Sequence, residues 1–342
     1  MGILLNDFNL LSGPVMTLRN VARRLCLIAI IGVSALAGLG ATAGMAFAKP
    51  LNVVATTSMI ADAARQVAGD RAEVTALMGP GVDPHSYRQT RSDIAAMARA
   101  DLVLWHGLYL EAQLEEFFLD LEKRRNVVAV GEAIDKSKLL SHADYDGRYD
   151  PHVWMDPQLW KTVVGAVRDA LIKTDPEGKA IYTANADKHI ADIEKLIGYM
   201  KSVTTSVPEK SRMLLTAHDA FSYFGRGYDF EVLGIQGIST ESEAGLRRVE
   251  ELVNIIVDRN LSAVFVESSV PERNVRALIE GAEARGQNVI IGGTLFSDAM
   301  GEPGTYEGTY IGMIDHNTTL ITRALGGDAP ETGMQGELAP SS

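Results

Sequence analysis

The chain has 342 residues, of which 46% are apolar and 22% charged, with a formal net charge of −12. That apolar content supplies a large core and excludes disorder throughout, and the length fits about two domains. The acidic balance argues against nucleic-acid binding through phosphates, and the single cysteine, Cys26, excludes an internal disulfide and a thiolate zinc cluster.

Residues 1–48 read as an export signal. Arg19, Arg23 and Arg24 form a basic start, an apolar run follows from Leu25 to about Met45, and Ala46-Phe47-Ala48 is an A-x-A cleavage pattern before Lys49. Cleavage after Ala48 is expected, which places the mature protein in a periplasm-like space. The apolar run is also long enough to serve as a retained anchor, but its small residues and the A-x-A favour cleavage. Arg23-Arg24 admits a twin-arginine route on a weak match. Cys26 lies at the start of the apolar run rather than at the cleavage point, which argues against lipidation.

Strand-like and helix-like segments then alternate. Strands are expected at Leu51–Thr56, Glu73–Met78, Asp101–Trp105 and Asn126–Val130, with helices at Met59–Val67, Ser92–Ala100 and Leu110–Lys123. A second series places strands at Arg212–Thr216, Glu231–Ile235, Leu261–Glu267 and Asn288–Ile291, with helices at Ala220–Arg226, Arg247–Asp258 and Val275–Ala284. Alternation of this kind gives an α/β fold with parallel sheets. Two helical stretches, Gln158–Lys173 and Pro176 to about Met200, lie between the series, and the second carries Ile181, Ile190, Ile193, Leu196 and Ile197 on one broad face. The expected organisation is therefore a signal at 1–48, an N-terminal lobe at 49–173, a rigid linking helix at 174–206, a C-terminal lobe at 207–325 and a disordered tail at 326–342.

Three of the seven histidines sit in turns beyond strands or beside prolines: His85 in Asp83-Pro84-His85, His152 in Asp150-Pro151-His152, and His218 in Ala217-His218-Asp219. Ligands of open α/β sheets bind beyond the carboxyl ends of the strands, and neutral imidazole suits divalent transition metals. A carboxylate would complete such a site. Asp298, after the last strand, is the choice, with Glu267 and Asp219 as rivals. These residues are far apart in the chain, so the site must be assembled across the fold, two ligands from each lobe. His106 reads as a structural or supporting residue, while His142, His189 and His316 read as a polar loop and polar helical surfaces.

With these motifs, together with Ala55-Thr56-Thr57-Ser58, Val266-Glu267-Ser268-Ser269 and Phe296-Ser297-Asp298-Ala299-Met300, the chain resembles the periplasmic metal-binding proteins of manganese and zinc ABC transporters from about Leu51 to Leu325. The resemblance implies two α/β lobes joined by one long helix, with ligands at His85, His152, His218 and Asp298 and one divalent cation, Mn2+ or Zn2+, as cargo. It also implies a membrane permease with a cytoplasmic ATPase as partner, and a monomer that is not an enzyme. Many manganese members carry Glu where this chain has His218, and zinc members often carry a His-rich loop that the short segment Ile134–Asp150 lacks. The motifs leave both metals open. A metal-dependent hydrolase lacks support, since no H-E-x-x-H is present and four protein ligands close a tetrahedral site. A receptor for an organic ligand or metal chelate would call for a roomy aromatic cleft, and aromatics are 6% of the chain.

Overall fold

A computed structural model describes residues 49–141 and 147–339, so the signal segment and His142 lie outside the described residues. The first lobe is built on four parallel strands: β1 (Leu51–Ala55), β2 (Ala72–Ala76), β3 (Leu102–Trp105) and β4 (Val127–Ala129), in the order β2-β1-β3-β4. The second lobe pairs β5 (Met213–His218) with β6 (Glu231–Gln236) and β7 (Ala263–Glu267) with β8 (Ile290–Leu295), all parallel, with β5 packed beside β7. Strands β3, β5 and β7 are buried throughout, which accounts for their unbroken apolar runs. Among the described residues no helix is long and apolar enough to cross a membrane.

Helices α1 (Ser58–Ala68), α2 (Arg91–Arg99) and α3 (Glu115–Glu122) accompany the first sheet. Thr57 caps α1 by accepting the Ile60 N–H, and Thr90 forms a reciprocal capping box with Asp93 at α2. Helix α4 (Pro157–Thr174) starts at Asp156, which accepts the Gln158 N–H, with Pro157 in the first turn. A single turn, Pro176–Gly178, then leads into α5 (Lys179–Thr204), whose 26 residues span about 39 Å. The second lobe adds α6 (Ser222–Tyr228), α7 (Leu246–Arg259), α8 (Arg273–Glu283) and α9 (Tyr310–Ala324).

Helix α5 packs against α1 and α4 on one side of the molecule and against α9 on the other. One buried cluster runs from Val53 and Met59 through Trp160 and Leu196 to Tyr310 and Met313. The two sheets are thus joined through a shared core, and Lys49–Ser342 forms one unit. The Trp160 and Tyr310 rings stack at 5.1 Å between centroids where α4 meets α9.

Four sequence expectations change. The buried face of α5 runs through Tyr182, Ala186, His189, Ile193, Leu196 and Met200, spaced alternately four and three residues apart, while Ile181 is 45% exposed. The seam uses Ala186 and His189 where a search for large apolar side chains selects the isoleucines. His189 is therefore a buried residue rather than part of a polar surface. Strand β8 continues past Ile291 through Gly292 and Gly293. A Cβ on Gly292 would meet the Phe265 ring at 2.8 Å, and Gly293, at φ +143°, lies against Leu320. The glycines that read as a strand end are there to let backbone approach side chains closely.

The tail also differs over its described part. Residues 326–339 fold back on the second lobe, with Ala329 and Leu338 buried. The Met334 N–H donates to both oxygens of the buried Asp315, at 2.8 and 3.0 Å, and the Asp328 N–H donates to Ser206 Oγ. A Gly/Pro-rich composition signalled disorder, but Gly326, Gly333 and Gly336 have positive φ and turn the chain onto Asp315.

Candidate metal centre

His85 lies on the loop after β2, His152 in the turn before Val153–Met155, His218 at the last residue of β5, and Asp298 on the loop after β8. All four side chains are buried and their ligand atoms lie within 4.8 Å of one another. His152 Nε2 is 3.2 Å from His85 Nε2, 3.3 Å from His218 Nε2 and 3.4 Å from Asp298 Oδ1. His218 Nε2 is 3.3 Å from Asp298 Oδ2. Four donors held tetrahedrally at metal bonds of about 2.0–2.1 Å would be separated by about 3.3–3.4 Å. The observed edges match that figure. Asp298 Oδ1 is buried with no hydrogen-bond donor, an acceptor that only a cation or a charged imidazole would satisfy.

Each residue is held by its own local chemistry. In both Asp-Pro-His turns the aspartate accepts the histidine backbone N–H: Asp83 from His85 at 2.9 Å, and Asp150 from His152 at 3.0 Å. Asp150 also accepts from His152 Nδ1 at 2.7 Å, which leaves Nε2 pointing to the centre. Glu267, at the end of β7, does the same for His218, accepting its N–H at 2.8 Å and its Nδ1. The rival ligand Glu267 thus stands behind a ligand rather than among them, a carboxylate–histidine pairing that fixes the tautomer and strengthens the donor. Asp219 accepts from Ser222 Oγ and stands outside the cluster. Asn317 of α9 clamps the Asp298 loop, accepting the Phe296 N–H and donating to the Phe296 carbonyl.

His106 is buried behind the His152 turn. Its Nε2 hydrogen-bonds the Pro151 carbonyl at 2.7 Å, and its ring meets Trp154 edge-on. This is the supporting place expected of it. Asp150 and Ser269, whose hydroxyl is 3.3 Å from Asp298 Oδ2, went unassigned from the sequence. The Asp-Pro-His repeat was the available signal for Asp150. Nothing local marks Ser269, which reaches Asp298 only in the folded chain.

The electrostatics of the cluster are uneven. Burial drives the His85 imidazole down to about 3, with Asp298 opposing, so His85 is neutral. Burial also acts against a charged His152, but Asp150 and then Asp298 outweigh it and raise it to about 9. His218 is likewise raised, with Asp298 and Glu267 overcoming burial. Burial would raise Asp298, yet His218 and His152 hold it well below the carboxylate range. The cluster is primed to exchange protons for another cation.

The chain matches the family described as zinc-uptake complex component A, periplasmic, over residues 53–324. It is 46% identical to the manganese-binding lipoprotein MntA of Bacillus subtilis, over 85% of this chain and 95% of that protein. It is 47% identical to the zinc-binding protein TroA of Treponema pallidum, over 81% of this chain and 89% of that protein.

The chain belongs to this family.

The solved structure of the periplasmic zinc-binding protein TroA from Treponema pallidum superposes with a TM-score of 0.79, covering 81% of this chain and 99% of that one. Fe(III)-bound YtgA from Chlamydia trachomatis, 29% identical, gives 0.73, over 81% of this chain and 98% of that one. The α/β fold with parallel sheets and one long helix is that of these metal-binding proteins.

Proposed function

We propose that the protein captures one divalent transition metal, Mn2+ or Zn2+, outside the cytoplasm and delivers it to an ABC permease driven by a cytoplasmic ATPase. His85, His152, His218 and Asp298 are its ligands. The observation that carries this reading is the buried donor set with tetrahedral-sized edges of 3.2–3.4 Å. Three imidazoles and one carboxylate fill a four-coordinate site, which favours carriage over catalysis because no position is left for a reacting water. With Asp150 and Glu267 behind the ligands, the +1 charge of a cation bound by three neutral histidines and Asp298 is offset locally.

The lobes at 49–173 and 207–325, joined through 174–206, the cleavage after Ala48 and a monomeric state belong to the same reading. Its support for export is the A-x-A pattern and the relatives' own descriptions as a periplasmic protein and a lipoprotein. Relatives named for manganese and for zinc are 46% and 47% identical, so likeness does not choose the cargo. On the affinity order zinc outcompetes manganese in most such sites, and selection then falls to geometry and supply.

The test is elemental analysis of protein purified from the periplasm without added metal, followed by competitive titration with zinc and manganese. One equivalent of metal, lost in alanine variants of His85, His152 and His218, is expected. A wild-type protein that binds neither metal would make the four residues scaffold only.

A further inference from the structure

The two ligand turns of the first lobe are tied to the second lobe in different ways. The His152 turn is stitched by buried bonds: Trp154 Nε1 donates to the Ser297 carbonyl, Tyr310 Oη to the Trp154 carbonyl, and Tyr223 Oη to the Asp150 carbonyl, at 2.7–2.8 Å. The His85 loop is tied by a half-buried pair. Thr240 Oγ1, on the loop 237–245 of the second lobe, donates to Asp83 Oδ2 at 2.6 Å. Asp83 is the residue whose other oxygen accepts the His85 N–H, and its Oδ2 also accepts from Ser86 Oγ.

The position of this pair adds to its interest. A cavity of about 60 Å3 opens beside it, lined by Asp83, Thr240, Glu243, Ser269 and Arg273. Its inner wall is Ser269, the side chain that touches Asp298. The clasp therefore stands where a small polar opening comes closest to the four ligand atoms. The loop that carries Thr240 has no strand or helix of its own, and its Gln236 anchor donates only to the Thr240 and Ser242 carbonyls.

We propose that Thr240 is a positioning residue for metal exchange: through Asp83 it holds His85 against the centre, and parting of the Thr240–Asp83 clasp is the step that frees His85 and opens the site. This rests on the metal-binding reading above. With the clasp closed, the Asp83 carboxylate is fixed at both oxygens and the His85 backbone with it. With the clasp open, His85 can swing away while His152, His218 and Asp298 stay pinned by buried bonds. Metal then enters and leaves on the His85 side.

The experiment loads the full chain with zinc and follows its release to excess chelator at one pH. It compares wild type with Thr240→Val, Thr240→Ser and Gln113→Ala, the last removing a separate exposed bridge from Gln113 to Glu241 on the same loop. Thr240→Val is expected to release zinc about tenfold faster, the scale of losing one hydrogen bond to a charged acceptor. Thr240→Ser should restore the wild-type rate, and the metal-free melting temperature should not move. Release from Thr240→Val at the wild-type rate overturns the inference. So does equal acceleration by Gln113→Ala, which would mean general loosening of the loop. A wild-type chain that never holds zinc or manganese removes the metal-binding reading itself, and the inference with it.

Discussion

Asp150 accepts both the backbone N–H and the Nδ1–H of His152, so one carboxylate fixes the turn, the tautomer and the aim of a ligand that sits 3.2–3.4 Å from the other three. The same side chain sets the His152 charge in the absence of metal. Asp150→Asn keeps the shape but loses the charge. Metal affinity should fall about 10–100-fold, the usual cost of removing a supporting carboxylate, while His152→Ala should cost more. Competitive titration of both variants checks this, and unchanged affinity in Asp150→Asn would count against the assigned role.

Metal binding should expel protons. His152, raised to about 9, and His218, also raised, carry protons in the metal-free cluster at neutral pH, whereas His85 does not. A metal bond at Nε2 needs the neutral ring, so affinity must rise with pH. Between about pH 6 and 8 the expected slope is about tenfold per pH unit for each proton displaced. Calorimetry in two buffers of different ionisation enthalpy measures the proton count. Affinity independent of pH across that window would show that the cluster is already deprotonated.

Glu111 makes the opposite kind of prediction, one about stability. It is buried and accepts from Thr56 Oγ1 and from the His106 and Gly107 N–H groups. Burial outweighs those bonds and pushes its pKa from 4.5 up to about 7. A carboxyl with a raised folded pKa binds its proton more tightly in the folded state. Its contribution is complete below pH 4.5 and is lost as pH rises through about 7, on the order of 3 kcal/mol in all. The stability of Glu111→Gln relative to wild type should therefore increase from pH 5 to pH 8 on about this scale, read from urea midpoints. A constant difference would refute the assignment.

The folded-back tail predicts a loss on truncation. Ending the chain after Gly326 removes buried Ala329 and Leu338 and the Met334 N–H that meets Asp315. The expected loss is about 2–3 kcal/mol of stability, from burying one leucine and satisfying one carboxylate. Because the tail is remote from the ligands in contact terms, metal affinity should be unchanged. An equal melting temperature with and without the tail would show that it adds nothing to the fold.

Much of the architecture was legible because it is local. Seven of the eight strands fall within about two residues of their expected ends, since buried parallel strands carry unbroken apolar runs between turn residues. The exceptions have physical causes. β8 hides behind Gly292 and Gly293, whose role is close packing on Phe265 and Leu320. The α5 seam runs through Ala186 and His189, residues that carry no apolar signal. Helix α9 was not anticipated at all, and its buried Asp315, Asn317, Thr318 and Thr322 show why: it is held by polar side chains as much as by apolar ones.

By itself the sequence determined the kinds of chemistry available: three histidines in constrained turns, carboxylates close by, no thiolates, and an acidic chain behind an export-like segment. Those follow from residue type and from Asp-Pro-His turns, which need only neighbours in the chain. Which carboxylate faces the centre was decided by the tertiary structure. Asp298 and Glu267 both lie beyond strands of the second lobe, and only the pairing of β7 with β5 puts Glu267 behind His218 and leaves Asp298 in front. The same holds for Thr240 and Asp83, which are 157 residues apart in sequence and 2.6 Å apart across the cleft. Distances of that kind are set by how helices and sheets pack, and packing is a property of the whole chain.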